Sequence, residues 1–166
     1  MLATTDLDLV YMREALRLAG TAAARGDVPV GAIVVMNGAI IGVGFNTREA
    51  AADPTGHAEI VALREACRRE GRWRVDGATL YVTLEPCPMC ACALVWAKLP
   101  RLVFGAFDER AGACGTLYNI PDDPRLTWRI EVVSGVEADR ASGLLRTFFR
   151  QRRADSSAGP PAGDGL

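Results

Sequence analysis

Two short stretches of this sequence contain residues that can bind one metal ion together, and they constrain the fold more than any other feature. The first contains His57, the only histidine in the chain, and Glu59. The second, Pro86-Cys87-Pro88-Met89-Cys90, places two thiols three residues apart. One imidazole and two thiolates are the expected ligand set of a catalytic zinc that keeps a fourth position open for water. The fold must therefore bring residue 57 close to residues 87 and 90.

The order of these residues matches the H-x-E…P-C-x-x-C signature of zinc deaminases that act on nucleobases. In that chemistry zinc lowers the pKa of its bound water towards neutrality, and a glutamate that is not a ligand moves the protons. We expect Glu59 to take a proton from the water and to deliver it to the ring nitrogen and then to the leaving amine. A Cys-x-x-Cys pair alone is equally typical of a structural zinc half-site or a redox pair, and a lone histidine is usually structural. The combination with Glu59 and Pro86 favours the catalytic site.

Length and composition limit the class of protein. We expect one domain, residues 1–153, and a disordered tail, residues 154–166, that is rich in Ala, Ser, Gly and Pro. The net charge of -1 excludes a generally basic nucleic-acid-binding surface, although it allows a local basic patch. No apolar run approaches the ~20 residues of a membrane span, and the first residues lack the pattern of a signal peptide. Five cysteines without an export signal favour reduced thiols, so we expect a cytoplasmic protein.

Hydrophobic periodicity predicts an α/β domain. Thr5 and Asp8 form a capping-box pattern before the first helix, and Asn37-Gly38 between two apolar runs predicts a β-hairpin. The predicted helices are 6–24, 57–70, 88–98 and 138–153, and the predicted strands are 28–36, 39–45, 78–84, 101–107 and 130–134. This order implies a mixed sheet with helices on both faces. It also places both metal-binding stretches at the starts of helices.

The last predicted helix contains a second functional signal. From Arg146 to Arg153, arginines alternate with aromatic residues and no acidic residue intervenes. Single-stranded RNA is usually bound by stacking and phosphate contacts of this kind. An amphipathic helix with Phe148 in the core and a solvated charged end explains the same pattern, and both interpretations stay open at this point.

Several stretches resemble the bacterial tRNA-specific adenosine deaminase family, TadA, of the cytidine deaminase-like superfamily. The resemblance extends from about residue 7 to residue 153, and it is strongest around the two metal-binding stretches. The similar segments are 28–32, 53–60, 79–90, 103–106 with Asp108, and 148–150.

The resemblance implies a three-layer α/β/α fold with a central mixed five-stranded sheet. It also implies a homodimer with one Zn²⁺ per subunit that converts adenosine to inosine at the wobble position of a tRNA anticodon stem-loop. Zinc binding is assigned to His57, Cys87 and Cys90, and proton transfer to Glu59. Substrate contacts are assigned to seven further residues: Val30, Asn46, Ala58, Pro86, Asp108, Phe149 and Arg152.

Two departures from the family pattern lie in the region that is expected to face RNA. Phe107 replaces a residue that is often basic, and Thr127-Trp128-Arg129 replaces a commoner Asn-His-Arg. The principal alternative is a free-base or nucleoside deaminase, such as a guanine or cytosine deaminase, because Pro86-Cys87-Pro88-Met89-Cys90 also fits relatives of that kind. A zinc-stabilised RNA-binding module without activity is a third hypothesis. The remaining cysteines, Cys67, Cys92 and Cys114, are expected to be packing residues.

Overall fold

A five-stranded mixed sheet forms the centre of this computed structural model, which describes residues 4–157. Its strands are β1 (Gly31–Met36), β2 (Ala39–Phe45), β3 (Ala78–Leu84), β4 (Arg101–Ala106) and β5 (Glu131–Val133). The order across the sheet is β2-β1-β3-β4-β5. β1 pairs antiparallel with both β2 and β3, whereas the β3–β4 and β4–β5 pairs are parallel. Asn37 and Gly38 have φ values of 51° and 76°, which fits the predicted two-residue hairpin turn.

Helices cover both faces of the sheet. In chain order they are α1 (Asp6–Ala24), α2 (Ala58–Glu70), α3 (Pro88–Trp96) and α4 (Ala138–Ser157). The element order predicted from the sequence is confirmed. The end of α4 differs, because the helix continues to Ser157 and the first residues of the predicted disordered tail are helical. Residues 158–166 lie outside the described part of the chain, and the division at residue 153 stays a prediction.

The two faces of the sheet form two hydrophobic clusters, as a three-layer α/β/α fold requires. On one face, Ile33, Tyr81 and Val103 pack against residues of α1 and α4 such as Met12 and Ala141. In the cluster on the opposite face, Ala62 of α2 and Leu94 of α3 pack with the strand residues Val34, Leu80 and Phe104. The predicted three-layer fold with a five-stranded mixed sheet is confirmed.

Two glycines determine how closely α2 approaches the sheet. A Cβ atom on Gly42 or Gly44 of β2 would clash with the backbone carbonyl oxygens of Ala62 and Ala58, respectively. Because both positions lack a side chain, α2 lies directly against β2. The start of α2, which follows His57, is thereby held at the sheet beside the end of β3. Pro88 occupies the first turn of α3, where its fixed φ is compatible with a helix start.

A buried ion pair connects α1 to the sheet far from the metal-binding stretches. The Asp8 side chain is 1% exposed, and Arg101 donates to both of its carboxylate oxygens at 2.8 and 3.0 Å. The Tyr81 hydroxyl and the Thr5 backbone N–H also donate to Asp8, at 3.0 and 2.9 Å. The capping box predicted from Thr5 and Asp8 is thus present. Between residues 4 and 157, no helix has the length and apolar character needed to cross a membrane.

Candidate active site

His57, Cys87 and Cys90 meet where α2 and α3 begin. His57 is the N-cap residue of α2, and Cys87 is the N-cap residue of α3. Neither side chain caps its own helix, so both are available for a ligand. Cys90 lies one turn into α3 and is fully buried. The two helix N-termini point positive dipole ends at this site, where they favour thiolates.

The spacing of the three donor atoms fits a tetrahedral zinc ion. His57 Nδ1 lies 3.7 Å from Cys87 Sγ and 3.6 Å from Cys90 Sγ. Zinc bonds of about 2.0 Å to nitrogen and about 2.3 Å to sulfur, at a tetrahedral angle, would separate the two atoms by about 3.5 Å. All three donor atoms lie within 4.8 Å of one another. The chain therefore has a three-ligand zinc site, and a fourth position is left for water or substrate.

The local electrostatics favour a thiolate on Cys87. Hydrogen bonds with Cys90 and with His57 lower the pKa of Cys87 to about 4, despite its partial burial. The hydrogen bond to Cys87 raises the pKa of His57 above its ordinary value. The neighbouring Cys87 and burial both raise the pKa of Cys90. A divalent cation at this position would replace the shared protons, as expected for a site built from thiolates.

Glu59 lies in the first turn of α2 and is 4% exposed. Burial raises the pKa of its carboxyl group to about 7, so the group can both accept and release a proton near neutral pH. Glu59 lines a cavity of about 210 Å³ together with His57 and Cys87. A buried carboxyl group beside a metal site in a cavity has the position and the pKa that a general acid–base needs.

The cavity also contains an unpaired acceptor. Asn46 is 7% exposed, and its Oδ1 atom is buried without a hydrogen-bond partner among the described residues. A buried carbonyl oxygen left unpaired is costly, so this atom is suited to accept a hydrogen bond from a bound molecule. Three further residues with predicted substrate contacts line the same cavity, namely Val30, Ala58 and Asp108.

Phe149 and Arg152 lie outside this cavity, on the exposed side of α4. Phe149 is 40% exposed and adjoins a groove with Arg110, Arg146, Arg150 and Arg153, which we call the arginine groove. Arg152 lies over the ring of Phe148 at 5.5 Å. Phe148 itself is buried, so the two interpretations of the final helix are compatible: one aromatic residue packs in the core and the next faces the arginines. Pro86 is buried and does not line the cavity; its carbonyl oxygen accepts a hydrogen bond from Ala113 at 2.9 Å.

Five residues that sequence analysis did not select also line the cavity: Val28, Arg48, Leu84, Glu85 and Ala111. Val28 lies two residues from Val30, and Arg48 lies two residues from Asn46. Their closeness in sequence to predicted substrate contacts could therefore have indicated them. Arg48 belongs to a loop that is anchored by Asp27, whose buried carboxylate accepts from the backbone of Glu49 and Ala50 at 2.9 and 3.0 Å. Glu85 directly precedes Pro86, but nothing local in the sequence indicates its partners.

Cys92 and the two departures from the family pattern lie at or near the protein surface. Cys92 was expected to pack, but it is exposed on α3, since it lies on the face opposite to buried Ala91 and Leu94. Trp128 is partly buried against the core, and its indole N–H donates to the Leu99 carbonyl at 2.8 Å. Phe107 is 55% exposed, with its ring edge-on to Phe104 at 5.2 Å. Thr127 and Arg129, on either side of Trp128, are exposed as well, so both departures contribute to the surface.

Comparisons with known proteins identify relatives of this chain. A sequence model of the cytidine and deoxycytidylate deaminase zinc-binding region matches residues 5–106. The tRNA-specific adenosine deaminase of Bacillus subtilis (strain 168) is 47% identical over 151 residues, which cover 91% of this chain and 94% of that protein.

Solved structures of two deaminases are also similar to this chain. One from biochemical and structural studies of A-to-I editing by tRNA:A34 deaminases, at the wobble position of transfer RNA, matches with a TM-score of 0.79. Its sequence is 38% identical, and the match covers 82% of this chain and 99% of that chain. The guanine deaminase of Nitrosomonas europaea matches with a TM-score of 0.71 at 25% identity, over 89% of this chain and 86% of that chain.

Proposed function

This chain belongs to the zinc-binding cytidine and deoxycytidylate deaminase family, and within it to the tRNA-specific adenosine deaminases, and from that premise we propose that it converts adenosine to inosine at the wobble position of tRNA. It is a hydrolase that uses one zinc ion and acts on the C–N bond of the adenine amidine. The observation with the greatest weight is the position of buried Glu59 beside the three zinc ligands, in a cavity with an unpaired amide oxygen.

His57, Cys87 and Cys90 would hold zinc, which would supply the Lewis acidity that lowers the pKa of a bound water molecule. Glu59 accepts a proton from the attacking water as the new C–O bond forms at C6 of adenine. The same carboxyl group delivers that proton to N1 of the ring, then takes the remaining proton of the added hydroxyl group and passes it to the departing amino group. The C6–N6 bond then breaks, so adenosine and water give inosine and ammonia. A pKa of about 7 suits a group that must alternate between the two forms.

The other cavity residues would orient the flipped nucleotide. The Asn46 amide oxygen would accept a hydrogen bond from it, and the backbone near Ala58 would contact the base edge. Val30 would pack against the base, and Asp108 would lie at the rim, where the loop from β4 meets the cavity. Pro86 would act indirectly, by holding the turn between Glu85 and Cys87.

RNA is favoured over a free base because the cavity rim continues into a cationic surface. Arg110 lies between Asp108 and Ala111, two residues that line the cavity, and Arg110 itself lines the arginine groove on α4. Exposed Phe149 gives a stacking surface among arginines, which suits an anticodon loop more than a free base. Arg152 extends the same cationic surface along α4. A free-base deaminase would have no use for this groove, although the guanine deaminase fold is similar.

We further propose that two copies of the chain form a dimer in the cytoplasm. Along α3, Met89, Cys92 and Trp96 follow helical spacing and are exposed, and Trp96 is 69% exposed. Leu117 and Tyr118, which shortly precede the 3₁₀ turn that packs against α3, are exposed as well. An apolar face of this extent is typical of a protein interface. A tRNA substrate and five cysteines that are all free support a cytoplasmic location.

Incubation of zinc-loaded protein with an anticodon stem-loop that has A at the wobble position should produce inosine. The control substrates are the same loop with the adenosine moved to another loop position, and free adenosine, guanine and cytosine. Inosine from the wobble substrate, with no ammonia from the free bases, is the expected outcome. Ammonia from guanine or cytosine without any inosine in RNA would instead identify a free-base deaminase.

A further inference from the structure

The side chain of Glu85 is almost completely buried, yet its carboxylate is neither a zinc ligand nor the proton-transfer group. It follows the last residue of β3 and precedes the turn that leads to Cys87. Its backbone N–H donates to Ala106 at 2.8 Å, which extends the parallel pairing of β3 with β4. The side chain is 2% exposed and contributes to the cavity wall.

Both oxygens of Glu85 accept hydrogen bonds from one loop, residues 108–116. The backbone N–H of Asp108 donates to Oε2 at 3.1 Å, and those of Cys114 and Thr116 donate to Oε1, each at 3.0 Å. The Thr116 hydroxyl donates to Oε2 as well. One carboxylate therefore binds the beginning and the end of the loop at the same time. Hydrogen bonds to a charged acceptor are stronger than those between neutral groups.

The loop is shaped around this carboxylate. Gly112 lies directly against Glu85, and a Cβ atom at this position would clash with the carboxylate and with the Asp108 carbonyl oxygen. The Asp108 side chain then closes the turn by accepting from the backbone of Arg110 and Ala111 at 2.9 and 3.2 Å. Asp108, with its neighbours, is thus placed by Glu85 rather than by contacts within the loop alone.

This loop connects the cavity to the RNA-facing surface. Asp108 and Ala111 form part of the cavity wall, whereas Arg110 lines the arginine groove beside α4. A shift of the loop would change the width of the cavity and the position of a cation in the groove. The zinc ligands lie on α2 and α3, so they would keep their positions.

We infer that Glu85 is a positioning residue for the RNA substrate: it fixes loop 108–116 so that Asp108, Arg110 and Ala111 present one surface to the flipped nucleotide and its flanking phosphates. The inference rests on the proposed function for its substrate, but the anchoring of the loop can be tested without activity. It assigns Glu85 no part in zinc binding or in proton transfer.

The main test compares Glu85→Gln with Thr116→Val and Thr116→Ser. The Gln side chain has one acceptor oxygen in place of two, and Val removes only the hydroxyl that donates to Glu85, at an exposed position. Loss of one hydrogen bond to a carboxylate should raise KM for the stem-loop about tenfold, with kcat at saturating RNA within about twofold of the wild type. Ser keeps the hydroxyl and should restore the wild-type KM. Zinc content should stay at one per chain in all three variants.

Amide hydrogen exchange tests the anchor directly. The amides of Asp108, Cys114 and Thr116 should exchange faster in Glu85→Gln, with at least a tenfold change, whereas amides of β3 and β4 should not change. Asp8→Asn is the matched control, since it also removes a buried negative charge but lies away from the loop. It should leave the exchange of the three loop amides at the wild-type rate.

The possible outcomes separate the alternatives. A fall in kcat at unchanged KM, a loss of zinc, or unchanged exchange at the three amides would overturn the positioning role. If Glu85→Gln fails to fold, Thr116→Val still decides between a raised and an unchanged KM. If the wild-type protein deaminates no RNA, the proposed function fails, while the exchange experiment reports on the anchor independently.

Discussion

Glu59 and Glu85 are two buried carboxylates in the wall of the same cavity, but we assign them different roles: Glu59 transfers protons, whereas Glu85 anchors a loop. Glu85 accepts four hydrogen bonds from one loop, two on each carboxylate oxygen. Glu59 lies beside the thiols and the imidazole, and burial raises its pKa to about 7. Both residues are glutamates and both are almost completely buried, so their different roles follow from what surrounds them: backbone donors of one loop around Glu85, and the zinc ligands around Glu59.

The largest effect is expected from Glu59→Gln, which removes the proton-accepting oxygen but keeps the size of the side chain. The value of kcat should fall by roughly 10³-fold, because a positioned general acid–base contributes about that much. Stopped assays for inosine, combined with metal analysis, measure both properties. Retained zinc with lost activity fits the proposed role, whereas near wild-type turnover would remove Glu59 from the mechanism.

Asp8→Asn removes a buried carboxylate that takes part neither in proton transfer nor in loop anchoring, so it tests the contribution of such a group to stability alone. Arg101 would keep its ion pair with Glu131 but lose its buried charged partner, and this loss should lower the free energy of unfolding by about 3 kcal/mol. Urea unfolding at pH 7 measures this change. The turnover number below the unfolding temperature should remain that of the wild type, and a marked loss of kcat would show that α1 affects the site.

The same carboxylate predicts an acid dependence of stability. Burial disfavours its charge, but the hydrogen bonds from Arg101 and Thr5 hold the pKa of Asp8 well below its ordinary value of 3.8. Its stabilising contribution is therefore complete above that ordinary value and is lost as the pH falls below it, towards the folded-state pKa. Unfolding free energies measured from pH 7 to pH 2.5 should fall more steeply for the wild type than for Asp8→Asn. Parallel curves would contradict the assignment.

Gly112→Ala changes the packing around the Glu85 carboxylate without removing any hydrogen-bonding group. The added methyl group must displace the carboxylate or the Asp108 backbone, and overpacking of this kind costs about 1–3 kcal/mol. KM for the stem-loop should rise while kcat and zinc content stay close to the wild-type values. Gly20→Ala, where no heavy atom outside α1 lies within 4 Å of the added Cβ atom, is the matched control and should leave KM unchanged.

Phe149→Ala should give the smallest effect. The ring is 40% exposed and belongs to the surface outside the cavity, so stacking on a single base should contribute about 1 kcal/mol, or roughly fivefold in RNA affinity. Fluorescence anisotropy with a labelled stem-loop measures it. Phe149→Tyr, which retains an aromatic ring, should bind like the wild type; equal weakening by both substitutions would argue against stacking.

Sequence patterns predicted the role of Glu59 but not that of Glu85. Glu59 could be recognised because it lies two residues from a zinc ligand, within a motif whose spacing reflects the chemistry. The partners of Glu85 lie 23 to 31 residues away and are mostly backbone groups, which no side-chain pattern can indicate. Helix ends show a similar limit: α4 continues to Ser157, because no glycine or proline follows Arg153 until Gly159, although the composition of residues 154–166 suggested a disordered tail. Cys92 was misassigned because its burial depends on which face of α3 meets the sheet.

The central claim is that this zinc site acts on a wobble adenosine in tRNA, and nucleoside mass spectrometry of treated tRNA tests it most directly. Total tRNA whose wobble adenosines are unmodified would be incubated with zinc-loaded wild-type protein and with Glu59→Gln, then digested and mapped by position. We predict inosine at the wobble position in the wild-type sample and none above background in the variant. Unchanged wobble adenosine in the wild-type sample would contradict the account.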